Sequence, residues 1–161
     1  MHYDDGNADK KTYAYFVSST SVVDALGRTT LYDYTDISGL AAITQVQDAA
    51  GGLTGYAYDQ NANLVSQTDP LGRVTRYQYD AKGNVTATTD ADGQSTQAVY
   101  ELTYSHPTSL TDARGAKSAF SYDTVGDLTQ AQDALGDQAQ FGYDAQGHVL
   151  AAKDALGNAS A

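Results

Sequence analysis

The tetrad Asp-x-x-Gly occurs at 24–27, 36–39, 48–51, 69–72, 80–83, 90–93, 112–115, 123–126, 133–136, 144–147 and 154–157 of a 161-residue chain. Two degenerate copies, Asp59 to Ala62 and Glu101 to Tyr104, complete the series, and consecutive copies lie 10 to 12 residues apart. Such a short period leaves no room for a helix of ordinary length but fits a strand of six or seven residues closed by a tight turn. Asp at the first position of a type I turn accepts hydrogen bonds from the backbone ahead of it. Gly at the fourth takes a positive φ, so the tetrad fits a type I turn closed by a left-handed glycine and a one-residue bulge. The structural residues of the repeat are therefore Asp69 and Gly72, Asp80 and Gly83, Asp90 and Gly93, Asp112 and Gly115, Asp123 and Gly126, Asp133 and Gly136, and Asp144 and Gly147. Pro70, second in its tetrad, has its φ preset for this geometry. Two turns make one unit of about 21 residues.

The segments between turns are rich in Thr, Val, Tyr and Gln, as in Arg73-Val74-Thr75-Arg76-Tyr77-Gln78-Tyr79, which is strand composition. Side chains alternate across a strand, so Tyr77 and Tyr79 share a face with Thr75 while Val74, Arg76 and Gln78 point the other way. The same pair recurs as Tyr32/Tyr34, Tyr56/Tyr58, Phe120/Tyr122 and Phe141/Tyr143, giving one face an aromatic ladder. The tetrads bound about twelve strands. At roughly 4.8 Å per strand an antiparallel meander of that size is a ribbon about 60 Å long and about 20 to 25 Å wide. Accumulated twist predicts that it coils, closes or packs on itself to cover the aromatic face.

Composition supports an all-β reading. Of the twenty acidic residues only Glu101 is Glu; Asp competes with the backbone for hydrogen bonds and favours turns over helices. Thirteen Tyr stand against three Phe and no Trp, so most of the aromatic surface carries a hydroxyl that needs a partner, and the core is expected to be half wet. Residues 1–23 read as an irregular or partial repeat, with Tyr13-Ala14-Tyr15-Phe16 out of phase, and 24–161 as one continuous domain of about six repeats. The meander is expected to break where the turn glycine is missing, at Ala62 and between Glu101 and Pro107. Pro107 cannot donate to a ladder.

A net charge of -11, with nine Lys and Arg scattered singly, repels a phosphate backbone and argues against nucleic acid as a partner. No cysteine is present, so neither disulfides nor a thiolate metal site is expected. There is no run of eighteen apolar residues to span a membrane, and Met1-His2-Tyr3-Asp4-Asp5 has no signal-peptide character. The chain begins and ends in mid-pattern, as a piece of something longer would. Rows of carboxylates invite a glycosidase reading, but turn chemistry already accounts for every Asp of the series. Asp90-Ala91-Asp92-Gly93 and Asp4-Asp5-Gly6-Asn7 have oxygens spaced for Ca²⁺ but lack the bidentate Glu of an EF-hand. His2, His106 and His148 are far apart and fall in no catalytic or zinc motif. No catalytic residue, metal ligand or cofactor site is expected.

The run Gly72-Arg73-Val74-Thr75-Arg76-Tyr77-Gln78-Tyr79-Asp80-Ala81-Lys82-Gly83-Asn84-Val85, followed by Asp90, resembles the YD repeat of RHS proteins. Tyr58-Asp59, Tyr79-Asp80, Tyr122-Asp123 and Tyr143-Asp144 carry the dipeptide that gives the repeat its name. The resemblance implies a spiralling β-sheet shell, in bacterial toxin complexes and polymorphic toxins a hollow cage around a C-terminal toxic domain, with relatives among teneurin-type adhesion proteins. It implies a secreted or surface protein whose partners are the remainder of a longer repeat chain and its C-terminal toxin domain. Six repeats are one arc of such a wall. The family's self-cleavage pentad Asp-Pro-x-Gly-Leu is not matched, because Arg73 follows Asp69-Pro70-Leu71-Gly72. An adhesion or carbohydrate-binding module, through the tyrosine ladder, and self-association through unpaired sheet edges are the alternative readings.

Overall fold

The computed structural model describes residues 11–15 and 17–160. These residues form fifteen β-strands and no helix, and strand order in the sheet follows chain order. The chain divides into two compact units, one ending at Tyr77 and one starting at Gln78. The first holds β1 (Thr12–Tyr15), β2 (Ser19–Val23), β3 (Thr29–Ile37), β4 (Leu40–Gln47), β5 (Leu53–Tyr58), β6 (Leu64–Thr68) and the first part of β7 (Val74–Tyr79). The second holds β8 (Val85–Thr89), β9 (Ser95–Tyr100), β10 (Pro107–Thr111), β11 (Lys117–Tyr122), β12 (Leu128–Gln132), β13 (Gln138–Tyr143), β14 (Val149–Lys153) and β15 (Ala159–Ser160). The twelve strands bounded by the tetrads are β3 to β14. The three further strands are β1 and β2, which pair from Thr12↔Val23 to Tyr15↔Thr20, and the two-residue β15.

The turns form for the reason the tetrad suggests. At Asp112 the backbone N–H donates to the Ala116 carbonyl at 2.9 Å and the Gly115 N–H donates to the Asp112 carbonyl at 3.0 Å. The Asp112 carboxylate accepts the N–H groups of Arg114 and Ala116, both at 2.8 Å. One side chain thus satisfies two donors that a three-residue loop leaves orphaned. The same four bonds recur at Asp24, Asp48, Asp59, Asp69, Asp80, Asp90, Asp123, Asp133, Asp144 and Asp154.

Two slots correct the sequence reading and a third agrees with it. At Ala62, where a break is expected, the turn is intact. Ala62 holds φ 62°, its N–H donates to the Asp59 carbonyl at 3.1 Å, and Asp59 makes the usual bonds. The Asp side chain imposes the turn and Ala accepts the left-handed conformation. Ala62→Gly is accordingly expected to stabilise the protein by about 0.5 to 1 kcal/mol, the relief of a left-handed alanine less the entropy lost by glycine; urea denaturation reads it directly. At 36–39 the loop is not the three-residue type. Ile37 pairs with Leu40 and positive φ falls on both Ser38 (53°) and Gly39 (85°), the two-residue type I′ pattern. The 12-residue steps on either side supply the residue that lengthens β3 and β4 up to the turn. Between Glu101 and His106 the loop is one residue longer, as the missing glycine predicts. Glu101 N–H donates to the His106 carbonyl, Ser105 takes φ 60°, and the Glu101 carboxylate accepts the N–H groups of Thr103, Tyr104 and His106.

A second irregularity falls beside the tyrosines. Register shifts separate Asp33/Tyr34 and Ala57/Tyr58 in the first unit, and Ser121/Tyr122 and Gly142/Tyr143 in the second. The partner strand carries one extra residue there: Thr44, Val65, Thr129 and Leu150 respectively. Another shift brackets Thr108, between Pro107 and Ser109. Thr129 donates its hydroxyl to the Ser121 carbonyl at 3.1 Å, and Thr108 donates to the Val99 carbonyl at 3.2 Å. Polar side chains therefore recover backbone acceptors where the ladder is disturbed.

Among the described residues no apolar side chain is buried; the only buried residues are the polar Thr20 and Ser109. Among the described residues of each unit, strands touch only their chain neighbours, and none of them forms a second layer over the sheet.

Candidate functional site

With no buried apolar side chain among the described residues of either unit, the side-chain feature that ties one repeat to the next is polar. Tyr58 donates its hydroxyl to the Ile43 carbonyl, Tyr122 to the Pro107 carbonyl and Tyr143 to the Leu128 carbonyl, each at 2.9 Å and each 15 residues back. These are tyrosines of the Tyr-Asp dipeptide. Their backbones end strands β5, β11 and β13. In each case the hydroxyl reaches a carbonyl of the preceding strand, β4, β10 and β12 respectively, with which its own strand is directly paired. Burial pushes the hydroxyls of Tyr58 and Tyr122 above their ordinary pKa of 10.0, with smaller contributions from Tyr56 and Glu101 respectively.

The other ladder rings occupy the same face. Phe120 lies opposite Ala131 and Phe141 opposite Ala152, so in the second unit a strand presenting alanine separates successive phenylalanines. Tyr56 lies opposite Gln67 in the first unit. Tyr77 and Tyr79 close β7. The sequence signals the face of these rings but not the hydroxyl contact, whose partner is a main-chain carbonyl in the preceding repeat.

The aspartates form a second recurring device. Beyond the two backbone donors, the outer carboxylate oxygen is bracketed by the side chain four residues on. Arg28 engages Asp24, Asn63 engages Asp59, Arg73 engages Asp69, Asn84 engages Asp80, His148 engages Asp144 and Asn158 engages Asp154. These bonds hold the carboxyls below the ordinary value of 3.8. The leading cause is the side-chain amide at Asp59, Asp80 and Asp154, and the backbone N–H of the fourth residue at Asp24, Asp69 and Asp144. Glu101 is lowered foremost by the His106 N–H.

The longer loop gathers a cluster in the second unit. The His106 ring stacks on Tyr104 at 5.6 Å and tilts against Tyr122 at 4.8 Å. Tyr104 donates its hydroxyl to the Thr124 carbonyl at 3.3 Å, and both rings crowd Gly126 of the next turn on that margin. No local pattern signals this contact, because the pairs involved are 20 or more residues apart. No group of three or more potential metal ligands occurs among the described residues; Asp4, Asp5 and His2 lie outside them. Asp90 spends its carboxylate on the N–H groups of Asp92 and Gln94.

The pKa directions give a signed expectation. A depressed carboxyl pKa adds stability above its ordinary value, and that stability is lost as pH falls through the depressed one. A raised tyrosine pKa adds stability below 10.0 that is lost as pH rises through the raised value. The melting temperature is therefore expected to be flat near neutrality, to fall below about pH 4 and to fall again above about pH 10. A Tm–pH profile checks this, and flanks that rise instead of falling would contradict the assigned bonds.

Residues 58–95 and 122–159 match the RHS Repeat family. These two stretches are RHS repeats. Both matched stretches start at a Tyr-Asp dipeptide, Tyr58-Asp59 and Tyr122-Asp123. No curated protein matches the chain by sequence. Among solved structures, the TcdB2-TccC3-Cdc42 complex is similar at a TM-score of 0.59 and 15% identity, over 86% of this chain and 8% of that one. The Photorhabdus luminescens Tc holotoxin pore is similar with the same TM-score, identity and coverage. TcdB2-TccC3 follows at a TM-score of 0.57 and 14% identity, over 84% of this chain and 8% of that one. The likeness shows the fold: an all-β antiparallel meander of the RHS shell kind. The chain thus spans about one-twelfth of the length of the proteins it matches. No helix among the described residues is long and apolar enough to cross a membrane.

Proposed function

We propose that this chain is a non-catalytic wall segment of a secreted or surface bacterial YD-repeat protein, part of a β-shell that scaffolds or encapsulates a toxin or cargo domain. The observation that carries the reading is the hydroxyl bond 15 residues back, made identically by Tyr58, Tyr122 and Tyr143. A contact that three repeats each make to the repeat before them ties successive units of a sheet together and uses the functional groups of the repeat in doing so. On this reading residues 24–161 are one array of about six repeats after a partial repeat at 1–23, the turn aspartates and ladder rings have structural roles, and the partners are the rest of a longer chain and its C-terminal domain. Much longer similar chains support it. The test is limited proteolysis of the full-length parent protein: a C-terminal domain cleaved only after the wall is breached is expected. A domain digested as fast as the same domain alone would overturn encapsulation.

A second reading rests on β1. Tyr13 and Tyr15 are 52% and 77% exposed, and their rings stack 6.3 Å apart at 11°, an aromatic platform of the kind that meets sugar rings. Glycan-array binding that disappears in Tyr13→Ala/Tyr15→Ala would favour an adhesion module, and an empty array removes it. Among the described residues β1 pairs on one side only. Self-association through that edge would appear as concentration-dependent sedimentation.

A further inference from the structure

The aromatic ladder has a gap. Counting eight residues from the turn Asp, the ladder position is Tyr32, Tyr56, Tyr77, Phe120 or Phe141 in five repeats, but Ala98 in the repeat that starts at Asp90. At that place the second unit has a groove of about 270 Å³ lined by Thr86, Thr88, Thr96, Ala98, Leu110 and Asp112 among others. The register puts these six on one face: Leu110 pairs with Ala98 and Thr88 with Thr96. Leu110 lies beside Ser118 on β11, whose alternate residues are Phe120 and Tyr122, so this is the ladder face. Leu110 is larger than the alanines opposite Phe120 and Phe141, yet it stays 41% exposed and the groove remains open.

The size suits a single ring, since sites that enclose whole small molecules run from about 300 to 1,000 Å³. The rim is acidic. Asp112 spends one carboxylate oxygen on the Arg114 and Ala116 N–H groups. The residue four places on is Ala116, which has no donor to bracket the other oxygen as Arg73 or Asn84 does elsewhere. Asp90 and Asp92 stand in the preceding turn on the same margin, in a chain of net charge -11.

We propose that the groove at Ala98 seats the aromatic side chain of a peptide segment that carries a basic residue next to that ring. The ring completes the ladder across β8, β9 and β10, and the cation meets the free side of Asp112. This goes beyond the wall reading and stands whether or not the chain encloses a cargo.

The test is an NMR titration of the full chain with the dipeptide amide acetyl-Phe-Arg. Saturable shifts are expected at Thr86, Thr88, Ala98 and Leu110. Acetyl-Phe-Glu and acetyl-Ala-Arg amides should each bind at least about fivefold more weakly, the one lacking the cation and the other the ring. Ala98→Tyr fills the gap and should weaken acetyl-Phe-Arg binding at least about tenfold while leaving the spectrum of distant residues unchanged. Should that variant lose its dispersed spectrum, Ala98→Leu carries the same comparison. Absence of saturable shifts, equal binding of all three dipeptides, or unchanged binding to a folded Ala98 variant would overturn the proposal. Shifts at these four residues that follow protein concentration alone would assign the groove to a second copy and overturn it as well.

Discussion

Replacing Tyr122 by Ala is expected to destabilise the protein by about 2 to 3 kcal/mol, and replacing it by Phe by about 1 kcal/mol. The ring is half-buried, so its removal costs less than that of a fully buried aromatic, which is worth about 3 to 5 kcal/mol. It supports the His106 ring at 4.8 Å, and its hydroxyl holds the Pro107 carbonyl at 2.9 Å. Tyr122→Phe keeps the ring and leaves that carbonyl without the bond. Tyr122→Ala also removes the floor under His106. Urea denaturation followed by both circular dichroism and tyrosine fluorescence checks the values, since repeat arrays can lose two-state cooperativity. A Phe variant as stable as the parent would mean that the hydroxyl bond contributes nothing, and the inter-repeat role given to it would fail.

Gly126→Val is the second large effect, at about 2 to 4 kcal/mol. The glycine holds φ +98°, a conformation that a β-branched residue tolerates poorly, and a Cβ there would stand 3.0 Å from the Tyr104 ring and 3.3 Å from the His106 ring. Gly115 separates the two causes. Its φ is +84° but nothing lies within 4 Å of its Cβ position, so Gly115→Ala bears only the backbone cost of about 1 to 2 kcal/mol. If crowding matters, Gly126→Ala combined with Tyr104→Ala should be less destabilising than the sum of the two alone, with a coupling of at least about 0.5 kcal/mol. Strict additivity would show that the longer loop does not press on the turn of the next repeat.

What the sequence made legible follows from which interactions are local. The Asp turn was readable because donors and acceptor lie within four residues, and it holds even at Ala62, where the glycine thought necessary is absent. The exception at 36–39 was hidden because Asp-Ile-Ser-Gly keeps the tetrad while the two flanking steps of 12 residues lengthen the strands and shrink the loop to Ser38-Gly39. The ladder face was legible from parity alone. The tyrosine hydroxyl partner was not, because Pro107, Leu128 and Ile43 offer a main-chain carbonyl that any residue would offer. The bulges at Thr44, Thr108 and Thr129 likewise look like ordinary strand residues. The gap at Ala98 was visible as an alanine in an aromatic column, but only the register with Leu110 shows that nothing fills it.

Single-residue hydrogen exchange tests the central claim, that the Asp side chain builds each hairpin turn and so paces the meander. In every three-residue turn the Asp N–H and the N–H three residues on are bonded, whereas the second residue donates to nothing in the turn. The account predicts protected amides at Asp59 and Ala62, Asp80 and Gly83, Asp112 and Gly115, Asp123 and Gly126, Asp133 and Gly136, and Asp144 and Gly147. Gln60, Ala81, Ala113, Thr124, Ala134 and Ala145 should exchange freely between them. Asp amides that exchange as fast as these six, or protection at Gly turns that is missing at Ala62, would contradict it.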